Sequence, residues 1–237
     1  PFFFWLAARD PHVPYAALRS DGPYQPADAV ILPVFYDSLS TRVNIAQYYT
    51  EISRLDDYVG EVIAELDRQQ LGNTYVIFLS DNGAPMPRGK TSLYDAGTKM
   101  PLVIAGPGVK AGAHSTALVS SIDVAPTVLV LAHQAVPESM HGLPFQALLS
   151  RPEQSHRSRL FSEQYDHGFA LNKRAVRTDQ YLYIDNFAEN KHPCLLEVQP
   201  MGTDMLDAFR AGKLNEVQSY CFMQNLPSDE LYALKDD

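Results

Sequence analysis

Apolar and polar positions are arranged in blocks along this chain. Phe2 to Ala7 is an apolar run of strand length that ends in Arg9-Asp10-Pro11-His12-Val13-Pro14; it predicts a buried strand delivering a loop. Ser20 to Tyr36 is rich in proline and polar residues and predicts a long surface loop, of the kind that carries function inside a domain. From Ser40, a suitable N-cap, apolar residues recur at Val43, Ala46, Tyr49, Ile52, Leu55, Val59, Val62, Ile63 and Leu66. That is the spacing of a long helix, which Gly72 and Asn73 would end. Tyr75 to Leu79 and Pro101 to Ala105 read as short buried strands, and Ser121 to Ala132 as a helix with Pro126 in its first turn. The polar stretch Ser150 to Arg159 predicts a linker. Beyond it, Leu160 to Gln164 and Ala175 to Ile184 read as strands, with Lys173 to Asp185 alternating as an antiparallel element does. Met205 to Val217 reads as a short helix. The order predicts an α/β fold, a mostly parallel sheet sandwiched by helices over residues 1–150, followed by a smaller C-terminal α+β subdomain with an antiparallel sheet over 151–237.

Composition narrows the partners. The chain has 237 residues, 46% of them hydrophobic, enough for a sizeable core. No apolar run approaches the roughly 20 residues of a membrane-spanning helix, so no membrane partner is expected. A net charge of −9 argues against nonspecific nucleic-acid binding. It leaves room for an anionic ligand in a locally cationic pocket. Cys194 and Cys221 are the only cysteines and lack zinc-like spacing; they could pair with each other in an exported protein. No Asn-x-Ser/Thr site occurs, which favours a bacterial over a glycosylated eukaryotic source.

The candidate chemistry begins at Ser80-Asp81-Asn82-Gly83, directly after a buried strand, with Gly89-Lys90 following. Asp81 and Asn82 offer two hard oxygens side by side, suited to a hard metal ion. Asp-Asn-Gly is equally an ordinary turn sequence. Lys90 is a point charge suited to an anion, or a plain solvated lysine. His12 stands at the end of an apolar run, where α/β folds place their chemistry, and suits an oxyanion contact, general acid catalysis or a structural cap. Asp56 and Asp57 beside Arg54 read as a helix-face ion pair. Asp166-His167-Gly168 reads as a polar loop or, more sharply, a substrate contact. There is no Gly-x-Ser-x-Gly nucleophile elbow, P-loop or dinucleotide fingerprint.

Taken in order, these motifs resemble a known family. They are Asp10-Pro11-His12, Leu55-Asp56-x-x-Val59-Gly60, Thr74 through Gly83, and Gly89-Lys90-x-x-x-Tyr94-x-x-Gly97-Thr98-Lys99-x-Pro101, followed by Ser121-x-Asp123-x-x-Pro126-Thr127 and Asp229-Glu230-Leu231-Tyr232-x-Leu234. The whole resembles the C-terminal half to two-thirds of a type I sulfatase of the alkaline phosphatase superfamily. The pattern is most similar to heparan N-sulfatase (sulfamidase) and bacterial glycan sulfatases. The resemblance implies that Asp81 and Asn82 are calcium ligands, half of the full set. It implies that Lys90 binds the sulfate group, that His12 contacts the sulfate or its leaving oxygen, and that Asp10 lies near the pocket. Selectivity for the sugar is expected in the loop Ser20 to Tyr36 and around His167.

The family nucleophile is a formylglycine made from Cys or Ser in a Cys/Ser-x-Pro/Ala-x-Arg motif. Neither Cys194-Leu195-Leu196-Glu197 nor Cys221-Phe222-Met223-Gln224 fits it, and the first aspartate pair for calcium is also missing. The expectation is therefore a fragment, inactive alone, whose partners are a sulfated sugar and the missing N-terminal half of the same enzyme. Its formylglycine, and a signal peptide for periplasmic or secreted rather than lysosomal location, are expected upstream. Two alternatives stand beside it: a phospho- or phosphonohydrolase of the same superfamily, and a noncatalytic binding module.

Overall fold

The computed structural model describes residues 2–167, 170–187, 200–223 and 227–235. The chain forms two compact units. The first comprises Pro1–Leu71, Asp81–Met100 and Asn190–Leu226; the second comprises Gly72–Ser80, Pro101–Glu189 and Pro227–Asp237.

In the first unit the long predicted helix is α1, Leu39–Arg68. Its N-cap is Ser38 rather than Ser40: Ser38 is extended, and its Oγ accepts the Thr41 N–H at 3.2 Å. The helix also stops before Gly72. Gln70 adopts φ 57° and the Leu71 N–H donates back to the Leu66 carbonyl, closing the last turn with a left-handed residue that is not glycine. Only the first half of α1 is well buried, through Thr41, Asn44, Ile45, Ala46 and Glu51. Ile45 packs with Ala29, Phe35, Met86 and Met201 in the unit's core. The region Ser20 to Tyr36 is therefore more than a surface loop: it carries a 3-10 turn, Pro26–Asp28, and sends Ala29 and Phe35 inward. The later helix expected at Met205 to Val217 is instead two, Pro200–Arg210 and Glu216–Ser219, followed by a 3-10 turn, Tyr220–Phe222. The break falls at Gly212, with φ 67°. Cys221 is buried on that turn, whereas Cys194, its proposed partner, lies outside the described residues.

Phe2 to Ala7 is not a strand here. Phe3, Phe4 and Trp5 are 66%, 73% and 73% exposed. A strand exists through its ladder partners, and among the described residues none pairs with this segment.

In the second unit β1, Val76–Leu79, pairs antiparallel with β2, Leu102–Ala105, in the register Val76↔Ala105 to Leu79↔Leu102. The parallel pairs expected of the α/β layer are not found among the described residues; both sheets are antiparallel. Two adjacent strands with matching apolar runs do not reveal their relative direction, which the intervening chain decides. The four-stranded sheet has the order β3-β4-β5-β6, from Leu160–Asp166, Ala170–Arg177, Tyr181–Asn186 and Asp229–Ala233. It is the predicted antiparallel C-terminal sheet. Leu182, Ile184 and Asn186 alternate inward along β5, the two-residue period of a strand with one covered face. A 3-10 turn, Ser121–Asp123, runs into the helix Val124–Leu131 as the sequence predicts. The predicted linker is fastened rather than free, because His156 and Arg157 both reach Asp123. No helix among the described residues is long and apolar enough to cross a membrane.

Candidate functional site

Five of the six predicted site residues, Asp10, His12, Asp81, Asn82 and Lys90, fall in the first unit; His167, exposed just after β3, belongs to the second. The structure positions the five on two segments.

The first segment is tethered to α1 by ion pairs. Arg54 donates through Nε to Asp10 Oδ2 at 2.6 Å and through Nη2 to Asp10 Oδ1 at 2.8 Å, and it also pairs with Glu51. Arg54 thus turns away from Asp56 and Asp57, the partners expected of it, towards carboxylates less exposed than theirs. Glu51 is buried and accepts the Ala16 N–H at 3.0 Å, and Gln47 donates to the Ala16 carbonyl at 2.9 Å. The Arg54 hydrogen bonds hold the Asp10 carboxyl below the usual carboxylate range. Between these anchors His12 is exposed, with Nδ1 2.6 Å from the Val13 carbonyl oxygen. If that nitrogen carries the proton, Nε2 is left as the ring's acceptor.

The second segment, Asp81 to Met100, is a loop folded on itself. The Gly83 N–H donates to the Gly97 carbonyl at 3.2 Å, and Lys90 and Met86 both donate their N–H groups to the Ala84 carbonyl, at 2.8 and 2.7 Å. A Cβ on Gly83 would lie 1.9 Å from the Ala96 carbonyl oxygen, and one on Gly97 would lie 2.4 Å from the Ser92 carbonyl oxygen. Both positions therefore exclude any side chain. Arg88 and Thr91 hold φ of 64° and 67°, unusual for residues with a Cβ and most unusual for a β-branched threonine. Met86 anchors the loop in the core. Gly83→Ala is expected to force the backbone apart and cost about 1–3 kcal/mol. The melting temperature would then fall by roughly 2–4 °C per kcal/mol, which a thermal unfolding scan checks.

At the head of this loop Asp81 is exposed and Asn82 half-buried. The Asn82 N–H donates to Asp81 Oδ1 at 2.9 Å, and Asn82 Nδ2 donates to the Gly83 carbonyl at 2.9 Å. These bonds fix the amide orientation, so the Asn82 oxygen is set apart from its NH2 group. The donor set, one carboxylate and one amide oxygen, has the chemistry a hard cation such as calcium selects. Two residues do not complete the six to eight oxygens it takes. Among the described residues no group of three His, Cys, Asp or Glu side chains could hold a metal. The fit is that of a partial ligand set. Lys90, half-buried, follows nine residues after Asp81.

Several residues were not legible from the motifs. Arg88 lies over the ring faces of Tyr94 and Tyr220, 4.5 and 5.0 Å from their centroids, and the two tyrosine hydroxyls share a hydrogen bond. Arg54 and Glu51 belong to the same class. In each case one partner is far away in sequence: Tyr220 for Arg88, Asp10 for Arg54 and Ala16 for Glu51.

A family model described as Sulfatase matches residues 1–134, and one described as N-sulphoglucosamine sulphohydrolase, C-terminal, matches residues 89–232. The ulvan-active sulfatase of Formosa agariphila is 31% identical over 224 residues, covering 85% of this chain and 37% of the relative. Human N-sulphoglucosamine sulphohydrolase is 43% identical over 110 residues, covering 45% of this chain and 22% of the relative. A solved structure of a protein in complex with its substrate D-glucosamine-2-N,6-O-disulfate aligns with TM-score 0.57 and 21% identity, over 66% of this chain and 35% of that one. The fold is thus that of the sulfatases, and the chain spans 37%, 22% and 35% of the length of these three proteins.

Proposed function

Because the chain belongs to the sulfatase family, we propose that it forms part of an enzyme hydrolysing a sulfate ester or sulfamate on a sugar, in the manner of a glycosaminoglycan-type or related glycan sulfatase. The observation that carries this is the loop from Asp81 to Met100, which sets two hard oxygen donors and a lysine on one self-locked backbone. In this reading residues 1–150 contribute to the catalytic domain and 151–237 form the smaller subdomain. Asp81 and Asn82 would hold half the coordination of a calcium ion, which, when bound, offsets the sulfate charge as a Lewis acid. Lys90 pairs with the sulfate as a point charge. His12, exposed with Nδ1 against its own backbone, presents Nε2 to the sulfate or its leaving oxygen. Asp10, its carboxylate committed to Arg54, positions the His12 segment from behind. His167 serves the sugar rather than the sulfate. The formylglycine nucleophile and the remaining calcium ligands would come from outside this chain, which has no Cys/Ser-x-Pro/Ala-x-Arg motif. An exported enzyme suits a polymeric sulfated substrate.

The test is sulfate release by the complete enzyme from N-sulfated and O-sulfated glucosamine, followed by ion chromatography, with and without a calcium chelator. Sulfate release that chelation abolishes is expected, with none from this chain alone. Turnover of a phosphonate or phosphate ester in place of every sulfated sugar would overturn the reading.

A further inference from the structure

We propose that Arg88 is a specificity-determining residue that binds a second anionic group on the substrate, a carboxylate or an additional sulfate on the sugar, distinct from the sulfate being cleaved. The inference rests on the sulfatase reading above for its substrate class. Arg88 sits two positions before Lys90 in the self-locked loop, at φ 64°. Its guanidinium lies over the faces of both Tyr94 and Tyr220, whose rings meet edge to face with centroids 6.0 Å apart. Among the described residues it forms no ion pair with a carboxylate.

A guanidinium held over ring faces by its charge keeps N–H donors with which a carboxylate or sulfate can be taken bidentately. The two rings confine the guanidinium before a ligand arrives, so less side-chain freedom is lost on binding. A cation held by π faces in an acidic protein keeps its charge for an incoming anion. Where an ion-pairing arginine would have a carboxylate partner, this one has two aromatic faces among the described residues.

The experiment titrates the complete enzyme by calorimetry with three ligands: glucosamine carrying one sulfate, the same sugar carrying two, and a monosulfated disaccharide bearing a uronate. The wild type is expected to bind one or both dianionic ligands about 10- to 100-fold more tightly than the monosulfated sugar, the worth of a charged hydrogen-bonded pair. Which dianion gains distinguishes a second sulfate from a carboxylate. Arg88→Gln removes that preference and leaves monosulfate affinity within about twofold; Arg88→Lys, charged but not planar, restores only part of it. Tyr220→Phe keeps the ring face and retains the preference, whereas Tyr220→Leu weakens it, so the idea remains testable if Arg88→Gln is poorly folded. An absent preference in the wild type, or an equal loss for all three ligands in Arg88→Gln, overturns the assignment. Binding is read apart from turnover. Sulfate release without an Arg88-dependent preference sinks this inference alone, whereas an Arg88-dependent preference without sulfate release sinks the sulfatase reading and leaves the anion site standing.

Discussion

Asp81→Asn in the complete enzyme is expected to lower the rate of sulfate release by about three orders of magnitude, since a metal contributes several kcal/mol of charge stabilisation and each ~1.4 kcal/mol is tenfold. The substitution is chosen for what it keeps. Asparagine retains an oxygen to accept the Asn82 N–H, so the turn at the head of the loop persists. It removes the negative charge that a divalent cation selects. Asp81 is exposed and makes few contacts in the fold, so the unfolding free energy should stay within the roughly ±0.5 kcal/mol typical of surface changes. Activity and stability therefore separate. A melting scan unchanged beside a collapsed rate, restored in part by raising calcium, is the expected pair of results. A rate within tenfold of wild type would remove Asp81 from the metal site.

Gly83→Ala makes the useful contrast, because it damages the same loop through packing alone. Its Cβ has no room against the Ala96 carbonyl, so stability and rate should fall together. The loop places Asp81, Asn82, Arg88 and Lys90 on one backbone whose cross-links are its own amides. Such preorganisation keeps charged groups from relaxing toward one another, which lets them act on a ligand without reorganising.

What the sequence made legible follows from how local each signal is. The helix α1 was readable because its apolar spacing repeats over many turns, and the antiparallel character of the C-terminal sheet because its strands alternate residue by residue; the turn that splits Ala175 to Ile184 between β4 and β5, and the strand β6, were not. The candidate site was readable because Asp81, Asn82, Gly83 and Lys90 are near neighbours in the chain. Features made by distant residues were not. Nothing near Arg54 announces Asp10, 44 positions away, and nothing near Tyr94 announces Tyr220, 126 positions away. The segment Phe2 to Ala7 fails in the opposite sense: its apolar pattern is that of a buried strand, but burial requires a neighbour, and the described residues provide none. The direction of β2 against β1 was likewise beyond an apolar pattern, since side-chain alternation is the same in both orientations.

Asp123→Ala should be strongly destabilising, at about 3–5 kcal/mol, the range for removing one partner of a buried ion pair. Asp123 is fully buried. Its carboxylate accepts from Arg157 through Nε at 2.7 Å and through Nη2, from the Leu143 N–H at 2.7 Å and from the Ser120 N–H at 3.0 Å, with His156 Nε2 3.3 Å away. Removing it strands a guanidinium and two amides that water reaches poorly. The rest of the motif serves the same junction, because Thr127 Oγ1 donates to the Asp123 carbonyl at 2.6 Å and accepts the Phe145 N–H at 2.9 Å. Asp123→Asn keeps one acceptor oxygen and should cost less. The pH dependence has a definite sign. Burial alone pushes the Asp123 carboxyl up, but the bonds from Arg157, Leu143 and Ser120 outweigh it and hold the carboxyl below its ordinary value. A carboxylate whose folded pKa is depressed contributes fully above its unfolded pKa of about 4 and loses that contribution as pH falls through the lower folded value. The gap in unfolding free energy between wild type and Asp123→Ala should thus be constant from neutral pH down to about pH 5 and narrow below about pH 4. Urea titrations of both proteins across that range measure it. A gap that stays flat into strong acid would mean that Asp123 acts through shape and not through its charge.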